Sequence, residues 1–487
     1  MAHIGIIGAG LSSLYAACKL GKEGHDVTVF EKNDQVGGRS RTFSEKGFTF
    51  DMGPSWYWMP ELIDGLFEEL GENREDYYLL NRLDPSYRVF WKDKSNTDLP
   101  ASLDELKQLF ETFEPNGAEK LTKFLSAAET KYTVAVEEFL ENPGLSITEL
   151  MRISALTKAL KLDVFKSVEK DVEKRFTSEK ARSILTFPVL FLGAMPDKIP
   201  SLYTMMNYAD LSLGTWYPEG GMSAMGVALE KVAKKQGVKF QFNASVDAIL
   251  EDNGSASAIV VNGESIAFDA VISGADYHHT EQNLIPEKFR KYSEKYWDAR
   301  KLAPSSLIFY LGINRKLKGL EHHNLFFDED LKDHGNQIYG NPSWPDKPLF
   351  YVCAPSITDL AVAPEGKENL FILMPVAPDL EDGEAVRNQY LDIILERIHQ
   401  HTGEDLKDSI EYQRSFCVSD FKNDYNSFKG NAYGLANTLG QTANLKPKIK
   451  SPLKKMFFCG QLTVPGPGVP PALISGKIAA NLLIKEL

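Results

Sequence analysis

His3-Ile4-Gly5-Ile6-Ile7-Gly8-Ala9-Gly10-Leu11-Ser12-Ser13 opens a stretch that runs on to Gly37-Gly38-Arg39 and decides how the 487-residue chain folds. The apolar run His3 to Ile7 meets a glycine turn, Leu14 to Leu20 continues with helical apolar spacing, and Val27 to Phe30 reads as a second strand. This is the strand, turn and helix that begin a dinucleotide site. Gly8 allows a tight turn, Gly10 lets backbone approach a pyrophosphate, and Leu11 and Ser12 carry the chain into a helix whose open N–H groups offer partial positive charge. Ser13 stands where a third glycine is usual, and it is small enough for helix and strand to pack. Glu31, followed by Lys32, ends the second strand at the spacing of an acid that meets a ribose 2′-hydroxyl, which favours an unphosphorylated ribose.

Working outward, Gly37-Gly38-Arg39 forms a second glycine turn, and Gly47 to Ser55 follows with Gly53-Pro54-Ser55 at its end. Paired glycines place bare backbone against a ligand, and arginine offers a planar fork of donors to a diphosphate. A site for a nicotinamide nucleotide alone has no evident need of this second turn. Near the other end, Phe457-Phe458-Cys459-Gly460-Gln461 leads to Pro465-Gly466-Pro467-Gly468-Val469-Pro470-Pro471 and an apolar helix from Ala472 to Glu486. Proline suits a first helical turn, and a planar ring set at that helix start meets the positive end of its dipole.

Together these segments resemble the FAD site of flavin amine oxidases and, more closely, of bacterial phytoene desaturases. The resemblance extends over Asn207 to Met222, Val246 to Asp276 and Cys459 to the C-terminus. It implies FAD as cofactor, with Val246 presenting backbone to the adenine and Gly460, Gly468, Val469 and Pro470 lying near the flavin. It also implies desaturation of an apolar carotenoid, with hydride leaving an allylic carbon for flavin N5, a proton lost from the adjacent carbon, and oxygen or a quinone reoxidising the flavin. The cofactor carries that chemistry. No catalytic base is identified; Asp163 and Lys166 share helical spacing, as surface ion pairs commonly do. The same site suits a later-pathway desaturase of a cyclic or hydroxylated carotene, or a carotenoid isomerase. An amine oxidase is a less attractive reading, and the intact Gly8, Gly10, Glu31 and Arg39 argue against a flavin-free lipid-escort protein of this architecture.

Length and composition bound the rest. Hydrophobic residues make up 43% and charged residues 25%, globular proportions, and the formal charge of −13 argues against nucleic-acid binding. Four scattered cysteines (Cys18, Cys353, Cys417, Cys459) show neither metal nor disulfide spacing and suit a reducing cytoplasm. Met1 leads directly into the first strand, leaving no room for a signal segment. No run reaches the ~18 apolar residues of a membrane span.

The expected fold is α/β: a discontinuous Rossmann-like FAD-binding domain (1–70, 215–295, 441–487), a mixed α+β substrate domain (71–102, 296–440) and a helical, membrane-associating region (103–214). Within that last region Arg152 to Arg182 carries nine basic residues against five acids, beside the apolar segment Ile184 to Pro196. The charges read either as a solvated face or, with the apolar segment, as an interfacial element resting on the inner face of the cell membrane. Trp56-Tyr57-Trp58-Met59-Pro60 reads as a hydrophobic knot, as a cavity wall beside the flavin, or as both. His278-His279 and His322-His323 read as packed histidines rather than metal ligands, because neighbours on a regular element diverge and no Cys or carboxylate stands at ligand spacing.

Overall fold

The computed structural model describes residues 1–145, 166–438 and 440–487. Its first strand, His3–Ile7, lies at the centre of a five-stranded parallel sheet ordered Met456–Phe458, Ala270–Ser273, His3–Ile7, Asp26–Phe30 and Lys239–Gln241. Strands buried on both faces need apolar residues on both, and these have them. Ile4, Ile6, Val27, Val29 and Ile272 join the core beneath the helices Leu11–Lys22, Ser223–Lys235 and Val469–Ile484. Ile7, Phe30 and Val271 face a three-stranded antiparallel sheet built from Val246–Asp252, Ser255–Val261 and Glu264–Ala267.

The sheet therefore draws its strands from both ends and the middle of the sequence. The first helix begins at Leu11, earlier than the apolar spacing suggests, because Gly10 caps it directly with no side chain at the turn. The last helix takes in Val469, and Pro470 and Pro471 sit in its first turn, where their missing N–H groups remove no helical bond.

A seven-stranded mixed sheet is ordered Ile410–Phe416, Ser305–Ile313, Glu368–Val376, Phe350–Cys353, His323–Phe327, Tyr87–Trp91 and Asn96–Leu99. Its only parallel pair joins His323–Phe327 to Tyr87–Trp91. One face packs on the helix Glu384–Thr402 and the other on a large cluster that includes Trp58, Phe110, Phe124 and Phe187.

Helices Leu103–Phe113, Gly117–Val134, Val168–Arg175 and Glu179–Thr186 complete this cluster. The basic run up to position 165, Asp163 included, lies outside the described residues. Its remainder is partly internal: buried Asp171 accepts from Lys131 Nζ at 3.1 Å, and the same ammonium donates to the Ser201 carbonyl and Thr204 Oγ1. In the apolar segment Ile184 to Pro196, Ile184, Leu185, Phe187, Val189 and Leu192 are buried, so these side chains spend their apolar surface inside the protein. Among the described residues no helix is long and apolar enough to cross a membrane.

Candidate active site

The carboxyl ends of the parallel strands open into a groove of about 280 Å³. At its head the glycine turn bends sharply: Gly8 has φ +84°, and its N–H donates to the Phe30 carbonyl at 2.7 Å. Glu31 organises the turn. Its Oε2 accepts from Ala9 N at 2.7 Å, while Oε1 accepts from both Asn33 N and Asn33 Nδ2 at 2.9 Å. The second turn is docked on the first, since Gly37 N donates to the Ala9 carbonyl at 2.8 Å. A side chain on Gly38 would come within 3.1 Å of Gly10 Cα. Gly8, Gly10, Leu11 and Ser12 line this end with Glu31, Lys32, Gly37, Gly38 and Arg39, and Val246 closes the far side.

Arg39 enters from the second turn and is held by residues distant in sequence. Its Nη2 donates to Ser427 Oγ at 3.1 Å, and its guanidinium carbon lies 5.0 Å from the centre of the Tyr425 ring. Nε is buried with no partner. Asp276, also on the groove wall, accepts from His279 N at 3.1 Å, and burial raises its pKa despite Arg39. Lys32 lines the groove, yet its ammonium reaches the Asn423 carbonyl at 2.7 Å.

Gly53, Pro54, Gly460, Gly468 and Val469 line the other end, where Gly460 N donates to Ser475 Oγ at 2.9 Å. Three expected residues stand elsewhere. Ser13 is wholly buried beneath the groove, where its Oγ would meet any side chain placed on Gly274; Ser55 and Pro470 line a second cavity.

That second cavity, about 590 Å³, shares Gly53, Pro54, Pro467, Gly468 and Val469 with the groove. Trp56, Trp58, Phe187, Phe191 and Phe327 form much of its wall, so the aromatic knot and the apolar 184–196 segment both face it. Among the described residues no carboxylate, lysine or arginine lines it. A guest here is apolar, because any charge would be desolvated without a partner.

Polar groups on the wall are tied down. Tyr351 hydroxyl donates to Ser55 Oγ at 3.0 Å and bonds His323 Nδ1 at 2.6 Å. His334 accepts from Leu349 N at Nδ1 and donates from Nε2 to the Pro375 carbonyl, both at 2.9 Å, which fixes a neutral tautomer. Burial pushes the His334 pKa from 6.5 down to about 4. Below pH 6.5 the unfolded ring takes a proton that the folded ring refuses until about pH 4. Stability present above pH 6.5 is thus lost as pH falls, by roughly 3 kcal/mol for such a group. His334→Gln is expected to flatten this loss in chemical denaturation; the same pH slope in both proteins would refute it.

The groove's chemistry fits a dinucleotide on two observations. Nothing lies within 4 Å of where a side chain on Gly10 would project, beside the open N–H groups of the first helix. Among the described residues the buried Arg39 Nε has no acceptor of its own. Asn33, Tyr425 and Ser427 escaped the sequence reading because they carry no local motif, and the last two reach the site only through the tertiary fold; in the sequence Asp276 reads only as the end of a re-entering strand.

Residues 9–484 match the model of the flavin containing amine oxidoreductase family. The chain is 39% identical over 484 residues to a carotenoid 3,4-desaturase of Haloarcula japonica, covering 99% of this chain and 98% of the relative. It is 33% identical over 497 residues to a 4,4′-diapophytoene desaturase (4,4′-diaponeurosporene-forming) of Staphylococcus haemolyticus, covering 99% of each. In fold it resembles wild-type putrescine oxidase bound to putrescine, with a TM-score of 0.64, 15% identity and 99% of each chain covered. An oxidoreductase of Methanosarcina mazei matches with a TM-score of 0.62, 19% identity and all of each chain covered.

Proposed function

Since the chain belongs to the flavin containing amine oxidoreductase family, we propose that it is an FAD-dependent desaturase of a carotenoid. The observation that carries this reading is the shared wall: a glycine-lined groove and an uncharged, aromatic cavity meet at Gly53, Pro54, Pro467, Gly468 and Val469. Gly8, Gly10, Glu31 and Arg39 would hold the nucleotide, and Gly460, Gly468 and Val469 the flavin end. When bound, FAD would supply the hydride acceptor for an allylic C–H bond beside the polyene.

The protein's own part is to bind, orient and keep dry. Trp56, Trp58, Phe187 and Phe191 grip a long apolar chain and exclude water, so a cationic carbon formed beside a polyene is stabilised by delocalisation and lives long enough to lose its proton. Pro467 and Gly468 line both groove and cavity, where that chain would meet the flavin. The FAD-binding and substrate-binding roles fall to the parallel and the seven-stranded sheets in turn. The substrate is drawn from a bilayer to which the protein attaches peripherally, and oxygen or a quinone accepts the electrons.

FAD-loaded protein incubated in liposomes with a panel of acyclic, hydroxylated and cyclic carotenes is expected to give a product that absorbs at longer wavelength and is lighter by two hydrogens per step. A product of unchanged mass would mean isomerisation. Full flavin loading with no product from any carotene would reject the reaction.

A further inference from the structure

His322, His323 and Cys353 converge in the protein interior behind the aromatic cavity. His323 opens its strand and stands opposite Cys353 in the antiparallel pairing, so the two side chains lie on one face. His322 precedes the strand and escapes its alternation; the two imidazole centres are 4.5 Å apart with their planes at 72°. One donor atom from each of the three residues lies within 4.8 Å of the others.

The outer nitrogens are already engaged. His322 Nδ1 bonds Thr358 Oγ1 at 2.8 Å, and His323 Nδ1 bonds the Tyr351 hydroxyl at 2.6 Å. Because Tyr351 gives its own hydrogen to Ser55, it accepts from His323, which leaves the His323 Nε2 lone pair bare. Nε2 of both histidines is buried without a partner. Buried polar atoms are rarely abandoned in this way, and a metal-bound imidazole usually has its other ring nitrogen held by an outer hydrogen-bond partner, a place the Thr358 and Tyr351 hydroxyls fill here. Trp56 stacks on His323 at 4.1 Å and 11°, fixing the ring. A small cavity of about 20 Å³, with room for about one water molecule, adjoins Cys353 on the side of Asp51 and Tyr217.

We propose that His322, His323 and Cys353 form a binding site for one zinc-class divalent cation. The histidines bind through neutral Nε2 and the cysteine as thiolate; its proton passes to solvent as the sulfur–metal bond forms, no redox change occurs, and the site keeps a net charge of +1. The ion would brace His323, hence Tyr351 and Ser55 on the wall of the aromatic cavity.

The test uses FAD-loaded protein dialysed against chelator, then titrated with Zn²⁺ or Co²⁺ and assayed for bound metal. One ion per chain and the visible bands of tetrahedral Co²⁺ are expected. Cys353→Ser and His322→Asn, each checked for an intact flavin spectrum, should weaken binding by roughly 100-fold or more. Wild-type protein that holds no ion at micromolar free Zn²⁺ would overturn the site, as would undiminished binding in both variants, which would place the ion elsewhere.

Discussion

Gly476→Ala is expected to cost the protein its flavin and about 3 kcal/mol of stability, through one added methyl group. Gly476 lies where the last helix crosses the first, and a Cβ there would sit 1.9 Å from the Ser12 carbonyl oxygen and 2.9 Å from its carbon. Both are backbone atoms, so no rotamer relieves the clash. Ordinary contact begins at 3.4 Å, so the helices must part by about 1.5 Å (3.4 less 1.9). That shift moves Ser12, whose N–H opens on the groove, and drags Ser475 from Gly460 N on the opposite wall. Equilibrium denaturation and flavin content after gel filtration would show it. The control has the opposite sign: Gly65 is exposed inside the helix Pro60–Leu70 with nothing within 4 Å, and Gly65→Ala should stabilise by up to ~1 kcal/mol. A Gly476→Ala protein as stable and as yellow as wild type would show that the helices do not cross this closely.

Glu31→Ala is expected to weaken FAD binding by roughly 100-fold while leaving the far-ultraviolet spectrum intact. The carboxylate accepts from Ala9 N, Asn33 N and Asn33 Nδ2 and is itself buried, so truncation strands buried donors and loosens the turn that shapes the pyrophosphate site. Glu31→Gln separates charge from shape. Its amide keeps one acceptor and turns a second into a donor facing an N–H, so an intermediate loss of about 10-fold is expected. Fluorescence titration of apoprotein with FAD measures both; equal affinity in Glu31→Ala and wild type would remove Glu31 from the site.

What the sequence made legible was local. The turn after the first strand, the second glycine turn and the Gly-Pro-Gly loop each declare themselves within a dozen residues, since short-range sterics dictate glycine and proline there. Ser13 was legible as a packing residue, and the structure puts it in the first turn of the first helix, packed against Gly274 rather than in the groove. Hydropathy could not say which way Ile184 to Pro196 faces, because burial in protein and burial in lipid select the same side chains. The acceptors and the aromatic ring around Arg39 come from residues 425 to 431, and the cysteine beside His323 comes from the neighbouring strand; neither follows from spacing along the chain. Asn33 is the exception, two residues from Glu31, where a side-chain amide closing back on a preceding acid carries no motif of its own.

The parallel sheet takes its edge strand from Met456–Phe458, and the groove takes its last wall from the loop and helix that follow. During translation the glycine turns leave the ribosome first, yet they face an unfinished pocket until nearly the whole polypeptide has been made. Cofactor capture is therefore a late event in biogenesis: flavin supply acts on completed chains, and a message truncated before that strand yields a protein unable to hold its prosthetic group.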